Sequence, residues 1–456
     1  MTVVINRRKR VLRWLIAIVA ALGLVLFVFW KSSLLSMAPD LLAQELVLAE
    51  RDGIPTTPED LKVHIGVPPA ANAGPLLKQA FSAIKKWKAT DEGKAVLKVT
   101  GSFQQVGSLK PADIERVGPA VSEQREIFSL LSAAVERPRV DFELNYHRGA
   151  ATEFPELEQE RAGVALLVIR SRYELQEGKQ QQAIATLDLA AKVSRLVTQD
   201  PSVIGLLIGS STRNLVCDTV TTFILANPTR QDVLGSARHV LEDLGGIPDL
   251  APALQSEFVM SLITIDQVRS SKLPGDAFGT ERKGRMVSLA QFGPIGAVFE
   301  LRYVQTFRNM YEQVVHSRRS VLQMHKALIK VQIDLDRNSR ADWTYTLTEL
   351  LAPVFEGIPM SLGESEAKRH VLLAAIDLLD LRNQKGKAVA LTPGSQSYWI
   401  DPFTEKPLKI RAQKDGFIVY SVGRDEKDNG GKPRPKNSFY EGYDITFSFP
   451  KPTSQN

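Results

Sequence analysis

A cluster of oxygen-bearing side chains near the C-terminal end is the part of the sequence best suited to chemistry. Within residues 415–445, the segment RDEKDNGG supplies two glycines together with Asp425, Glu426, Asp428 and Asn429. Calcium takes about six to eight oxygen ligands from a loop that bends tightly, and these residues are suitable ligands. The same residues also suit a solvated turn, in which Asp and Asn bond to the backbone. Composition alone favours the turn, and metal binding is the alternative.

Elsewhere, the residue types needed for catalysis are scattered. The six histidines do not cluster, and the sequence has no H-E-x-x-H, no G-x-S-x-G, no P-loop and no G-x-G-x-x-G after a strand. The single cysteine, Cys217, lies in an apolar helical pattern, which favours a small buried side chain over a reactive thiol. The sequence therefore indicates no catalytic residue.

The composition is that of a folded protein, with 44% hydrophobic and 24% charged residues. Most of the net charge of +6 comes from a short basic segment, residues 7–13, and the rest of the chain mixes acids with bases. Nucleic-acid binding requires a concentration of Lys and Arg on one face. We therefore predict that nucleic acid is not a partner.

The basic segment precedes a predicted membrane anchor. Residues 14–30, WLIAIVAALGLVLFVFW, carry no charge and have about the minimum length of a spanning helix, roughly 17 residues. Five basic residues precede this run and Lys31 alone follows it, which places the N-terminus in the cytoplasm. A cleaved signal peptide is the alternative, but Pro39 follows the best small residue, Ala38. We expect a single-pass membrane protein whose bulk lies outside the cytoplasm.

The remaining patterns predict a mainly α protein with a small antiparallel β module at its C-terminal end. The stretch 160–197 predicts a helical hairpin that turns at Gly178, weakly similar to a tetratricopeptide unit but without a clean repeat of about 34 residues. Two short stretches, AVLKVTG and VDFELNYH, are predicted to be extended. The runs LKIRA, GFIVYSV and YDITFSF have the period of two that is typical of strands.

These patterns divide the chain into six segments. They are a cytoplasmic basic tail (1–13), the transmembrane anchor (14–31), a juxtamembrane helix with a Pro/Gly-rich arm (32–74), an extracytoplasmic mainly helical domain (75–381), the β module (382–450) and a tail (451–456).

Several segments carry a resemblance to a known family. The stretches GIPTTPEDL, RVDFELNYHRGA, YELQEGKQQQAI and DPFTEKPLKI resemble, nearly end to end, an uncharacterised family of N-terminally anchored proteins from planctomycete-like bacteria. This resemblance implies an anchored architecture and a location in the bacterial inner (cytoplasmic) membrane with the bulk of the chain periplasmic, but no activity.

The C-terminal segment is also similar to the end of the major pseudopilins of type II secretion, through DPFTEKPLKI, GFIVYSVGRDEKDNGG and YDI. That resemblance implies a structural calcium ion. By position it implies side-chain ligands from Asp425 and Asp444, then Asp428 or Ser421, with carbonyls near Val422. Two features depart from that family: the prepilin processing site is absent, and basic residues in KPRPKNSFYEG would weaken cation binding.

Two functional hypotheses follow. The first is a membrane-anchored extracytoplasmic interaction or scaffold protein of the cell envelope, with a place in secretion as one option and with unidentified protein partners. The second is an extracytoplasmic hydrolase whose acids converge only in three dimensions. A pocket lined by paired carboxylates would favour the hydrolase.

Overall fold

The structure is a computed structural model that describes residues 35–273, 287–317, 320–352, 355, 357–385, 393–413, 415–435 and 442–450. It is mainly helical and has a small three-stranded antiparallel sheet near its C-terminal end, which confirms the predicted class. Among the described helices, none combines the length and the apolar character needed to cross a membrane. The anchor predicted over residues 14–30 lies outside the described residues.

The described helices and strands are given in chain order. They are α1 (35–51), α2 (Pro58–Ile65), α3 (Gly74–Lys88), α4 (Asp91–Thr100), α5 (Pro111–Ser122), α6 (Arg125–Val135), α7 (Leu157–Gln176), α8 (Gln180–Val197), α9 (Val203–Ala226), α10 (Gln231–Asp243), α11 (Ala251–Arg269), α12 (Gly293–His316), α13 (Val321–Ala341), α14 (Thr346–Leu351), α15 (Gly357–Lys385), β1 (Lys409–Gln413), β2 (Gly416–Ser421) and β3 (Ile445–Phe449).

The helical hairpin predicted around Gly178 is present as α7 and α8. Gly178 has φ +73°, the left-handed conformation that ends α7 and reverses the chain. Helix α7 is buried on nearly all sides, because α3, α5, α8 and α9 all contact it. A polar side chain on α7 is therefore placed in the protein interior.

The extended structure predicted for AVLKVTG is wrong, because these residues belong to helix α4 and its C-terminal cap. The Thr90 hydroxyl accepts a hydrogen bond from Gly93 N at 3.1 Å, and Gly101 ends the helix with φ +55°. These two caps, together with the burial of Val96 and Thr100 on one face, outweigh the strand preference of the β-branched residues. VDFELNYH forms no strand either and runs as an irregular segment into a short 3₁₀ helix.

The buried apolar side chains form two main cores. The larger core contains side chains of α3 to α10, the C-terminal half of α15 and the sheet. The second core contains side chains of α1, α11, α12 and α13 and of the start of α15. A small cluster that includes Leu61 of α2 and Tyr146 lies against α11. The surface between α2, the α8–α9 turn and the start of α11 is therefore a junction between the cores.

The sheet has the order β1-β2-β3, with β2 buried along its whole length. Phe417 and Val419 of β2 and Phe447 of β3 belong to the larger core. In β2, Phe417 pairs with Phe449 and Val419 with Phe447 across the antiparallel register. The sheet is thus packed on α15 and is continuous with the helical body.

Candidate functional site

Two acidic side chains, Glu160 and Asp200, meet in the interior near the junction between the cores. Glu160 lies in the first turn of α7 and is 0% exposed, and Asp200 lies in the α8–α9 turn and is 3% exposed. The turn is held by Ser202 N, which donates to Asp200 O at 2.8 Å, and by the Ser202 hydroxyl, which accepts from Gly205 N at 2.9 Å. We call Glu160 and Asp200 the acid pair.

The two carboxyl groups of the acid pair interact, and each changes the pKa of the other. Within the described residues, neither carboxyl oxygen of Glu160 accepts a hydrogen bond, and Asp200 Oδ1 is likewise without a partner. Two neighbouring buried carboxylates repel each other, so a proton on one of them stabilises the folded chain.

The environment of the acid pair favours protonation of its carboxyl groups. Burial raises the pKa of Glu160 well above its ordinary value, and the negative charges of Asp200 and Glu156 raise it further. Burial also raises the pKa of Asp200, to about 6, although Ser202 and Glu160 partly oppose the effect. The two groups titrate as a unit, and burial favours the neutral form of each.

A cleft of about 240 Å³ opens next to the acid pair, and Asp200 is one of its lining residues. The other polar side chains on its walls include His64 of α2, Arg139 and Asp249, which are all exposed. We call this the acid cleft. Glu160 does not line the cleft, so only one member of the pair faces it. A separate, mainly apolar cavity between α12 and α13 has a volume of about 20 Å³.

A buried acid elsewhere in the protein, Glu366, is stabilised by ion pairs instead. Glu366 on α15 accepts hydrogen bonds from Arg213 Nη2 at 3.0 Å and from Arg369 Nε at 3.0 Å, and His370 Nε2 lies 3.0 Å away. The hydrogen bonds from His370 and Arg369 and the nearby arginine charges hold its pKa well below the ordinary value, although burial opposes them. Glu366 is therefore an ion-pair residue, whereas the acid pair has no such counter-charge in the described structure.

The predicted calcium ligand Ser421 is buried at the end of β2. Its hydroxyl donates to Asp401 Oδ1 at 2.9 Å, and Val422 N donates to Asp401 Oδ2 at 2.9 Å. Phe403 N also donates to Asp401 at 3.0 Å. Ser421 therefore supports a buried aspartate that the sequence did not single out.

The three predicted aspartate ligands bond mainly to backbone N–H groups. Asp444 accepts from Gly431 N at 2.6 Å, and Asp425 accepts from Gly442 N at 2.8 Å. Asp428 accepts from Gly430 N at 2.9 Å and from the Tyr420 hydroxyl at 3.0 Å. The hydrogen bond from Gly430 lowers the pKa of Asp428, whereas burial raises that of Asp444.

These loop acids bond to backbone N–H groups, as expected for the solvated turn that composition favours. Among the described residues, Asp188, His239 and Asp243 each place one possible metal-ligand atom within 4.8 Å of the others. None of the loop acids belongs to this group. Calcium binding by the loop stays a prediction.

Sequence reasoning missed both members of the acid pair. The sequence offered one signal for Glu160. It is an acid at the start of α7, LEQERAGVALLVIR, and the residues that follow are apolar on several faces of the helix. Asp200 stands in an ordinary Asp-Pro turn, and no spacing rule connects it to Glu160.

Comparisons of the chain with protein-family models, with curated proteins and with solved structures find no match.

Proposed function

We propose that the protein is a hydrolase in which Asp200 is the catalytic acid. The observation that carries this proposal is a buried pair of interacting carboxyl groups, both with raised pKa values, of which one lines a cleft. Unsupported buried carboxyl oxygens are unfavourable for folding, and perturbed acids of this kind concentrate at functional sites. Burial raises the pKa of Asp200 to about 6, which is in the range of carboxyl groups that act as general acids.

The geometry favours glycosidic bonds as the substrate. Aspartic proteases expose two carboxyl groups to one water molecule, but here Glu160 is enclosed and only Asp200 reaches the cleft. A single neutral carboxyl group suits protonation of a leaving glycosidic oxygen. A second, ionised carboxylate then activates water or attacks the sugar. Asp249, exposed on the same cleft, is our candidate for that second group.

Glu160 is a positioning residue in this proposal. It neighbours Asp200 but does not line the cleft, and it sets the pKa of Asp200 by partly opposing the rise that burial causes. An envelope polysaccharide would fit the extracytoplasmic location predicted from residues 14–31. Carbonate washing tests that location, because an anchored chain remains in the membrane pellet.

The activity test uses the full chain in detergent against a panel of 4-methylumbelliferyl glycosides and purified cell-wall polysaccharide. We expect turnover by the wild type and a fall in kcat of at least about 100-fold for Asp200→Asn, since general acid catalysis contributes roughly 10²- to 10⁴-fold. Asp425→Asn is the matched control, because it makes the same change in the C-terminal loop.

Glu160→Gln separates positioning from folding. The introduced side-chain amide can donate to Asp200 and stabilise its ionised form, so the alkaline limb of the kcat profile should move to lower pH. If no glycan is cleaved, or if Asp200→Asn retains full activity, the hydrolase proposal fails. A stable protein partner recovered from solubilised membranes would then favour the interaction hypothesis.

A further inference from the structure

We infer that Asp188, His239 and Asp243 form a binding site for a divalent transition-metal ion such as zinc. Asp188 lies on α8, and His239 and Asp243 lie one turn apart on α10. The two helices are in contact within the larger core, so the backbone positions of the three residues are fixed. One ligand atom from each side chain lies within 4.8 Å of the others.

Two carboxylate oxygens of this cluster lack hydrogen-bond partners, and one of them lies near the His239 ring nitrogen. Asp188 Oδ1 and Asp243 Oδ2 are shielded from solvent and have no hydrogen-bond partner in the described residues. Asp243 Oδ2 lies 3.7 Å from His239 Nε2, which is too long for a hydrogen bond. Two ligands of a tetrahedral zinc ion, each at about 2.0–2.1 Å, are separated by about 3.4 Å. The observed separation is close to that value.

Lys192 shows that the cluster attracts positive charge. Its Nζ lies 2.7 Å from Asp188 Oδ2 and 3.5 Å from Asp243 Oδ2. The Lys192 side chain is 42% exposed, so its ammonium group can turn towards solvent when a metal ion enters. Lys192 therefore competes with the metal and limits its affinity.

The chemical types of the three ligands determine which metal ion the site prefers. Imidazole nitrogen suits zinc and similar ions, whereas calcium prefers an all-oxygen shell. Three protein ligands leave a fourth position for water, and the His239 side chain is 66% exposed, which opens the site to solvent. The cluster shares no residue with the acid cleft, so the inference is independent of the proposed hydrolase activity.

The test is zinc titration by calorimetry and cobalt absorption spectroscopy on the untagged full chain in detergent. We expect one ion per chain with the d–d bands of a tetrahedral cobalt site. Removing even an outer-shell partner costs about 10- to 100-fold in metal affinity, so His239→Ala should weaken zinc binding by at least about tenfold. Lys192→Met should strengthen it, because the competing ammonium group is removed.

His316→Ala is the control, since His316 is exposed on α12 and bonds only to Glu312 O among its described contacts. Equal zinc affinity in His239→Ala and His316→Ala would overturn the inference. Absence of zinc binding by both the wild type and Lys192→Met would also overturn it. A cooperative thermal transition in each variant shows that the comparison is made on folded protein.

Discussion

The acids of the C-terminal loop accept hydrogen bonds from backbone N–H groups, whereas the acid pair is buried with carboxyl oxygens that accept none. The loop acids Asp425, Asp428 and Asp444 lie close together in the sequence and stabilise the loop locally. Glu160 and Asp200 come from α7 and the α8–α9 turn and meet only through the packing of the helices. Acids that are conspicuous in a sequence can thus be structural, while a perturbed pair can arise from unremarkable positions.

We expect the largest loss of stability from Asp444→Ala in the C-terminal loop. Asp444 is 3% exposed and accepts from Gly431 N and Asn429 N, so its removal leaves buried donors without partners. We expect a loss of about 2–3 kcal/mol in the free energy of unfolding, measured with urea. A loss below about 0.5 kcal/mol, the level of ordinary surface changes, would show that the loop does not depend on this acid.

The acid pair should reverse the usual pH dependence of stability. Both pKa values are raised in the folded chain, so it binds more protons than the unfolded chain above the ordinary carboxyl pKa of about 4. The contribution of the pair is therefore complete at low pH and is lost as pH rises through the folded values. Urea unfolding across this pH range should show a free energy of unfolding that falls as pH rises in the wild type. The variant Glu160→Gln should remove this fall. An unchanged slope in that variant would contradict the assignment.

The smallest expected effect is that of Asp428→Asn on stability. Asp428 is exposed, and its bond from Gly430 N can be retained by the Asn side-chain oxygen, so the loss should stay within about 0.5 kcal/mol. The same variant tests the predicted calcium site. If the loop binds calcium, the ion should raise the melting temperature of the wild type more than that of Asp428→Asn. Equal melting temperatures with and without calcium would leave the turn as the explanation.

The sequence predicted much of the fold because its signals were local. Gly178 between two helical runs indicated the α7–α8 hairpin, and period-two runs indicated β1 to β3. AVLKVTG was misassigned because the caps at Thr90 and Gly101 act against the β-branched residues between them. The domain boundary predicted at residue 382 lies inside α15, which continues to Lys385.

The candidate site could not be predicted in the same way. The proton affinity of Glu160 depends on its burial and on the approach of Asp200, and neither quantity is encoded in residue spacing. The same limit applies to Asp188 and His239, which are brought together by the contact between α8 and α10. Such sites depend on tertiary packing, so a structure is needed to find them.

The most direct test of the acid pair is infrared spectroscopy of its carboxyl groups at neutral pH. We predict a protonated-carboxyl band in the wild type that is lost in Glu160→Gln, because the amide then stabilises ionised Asp200. Glu257→Gln, a change at another buried acid whose pKa is raised by burial, should leave that band in place. If the wild type and Glu160→Gln give the same spectrum in this region, the acid pair carries no proton at neutral pH, and the proposed general acid is contradicted.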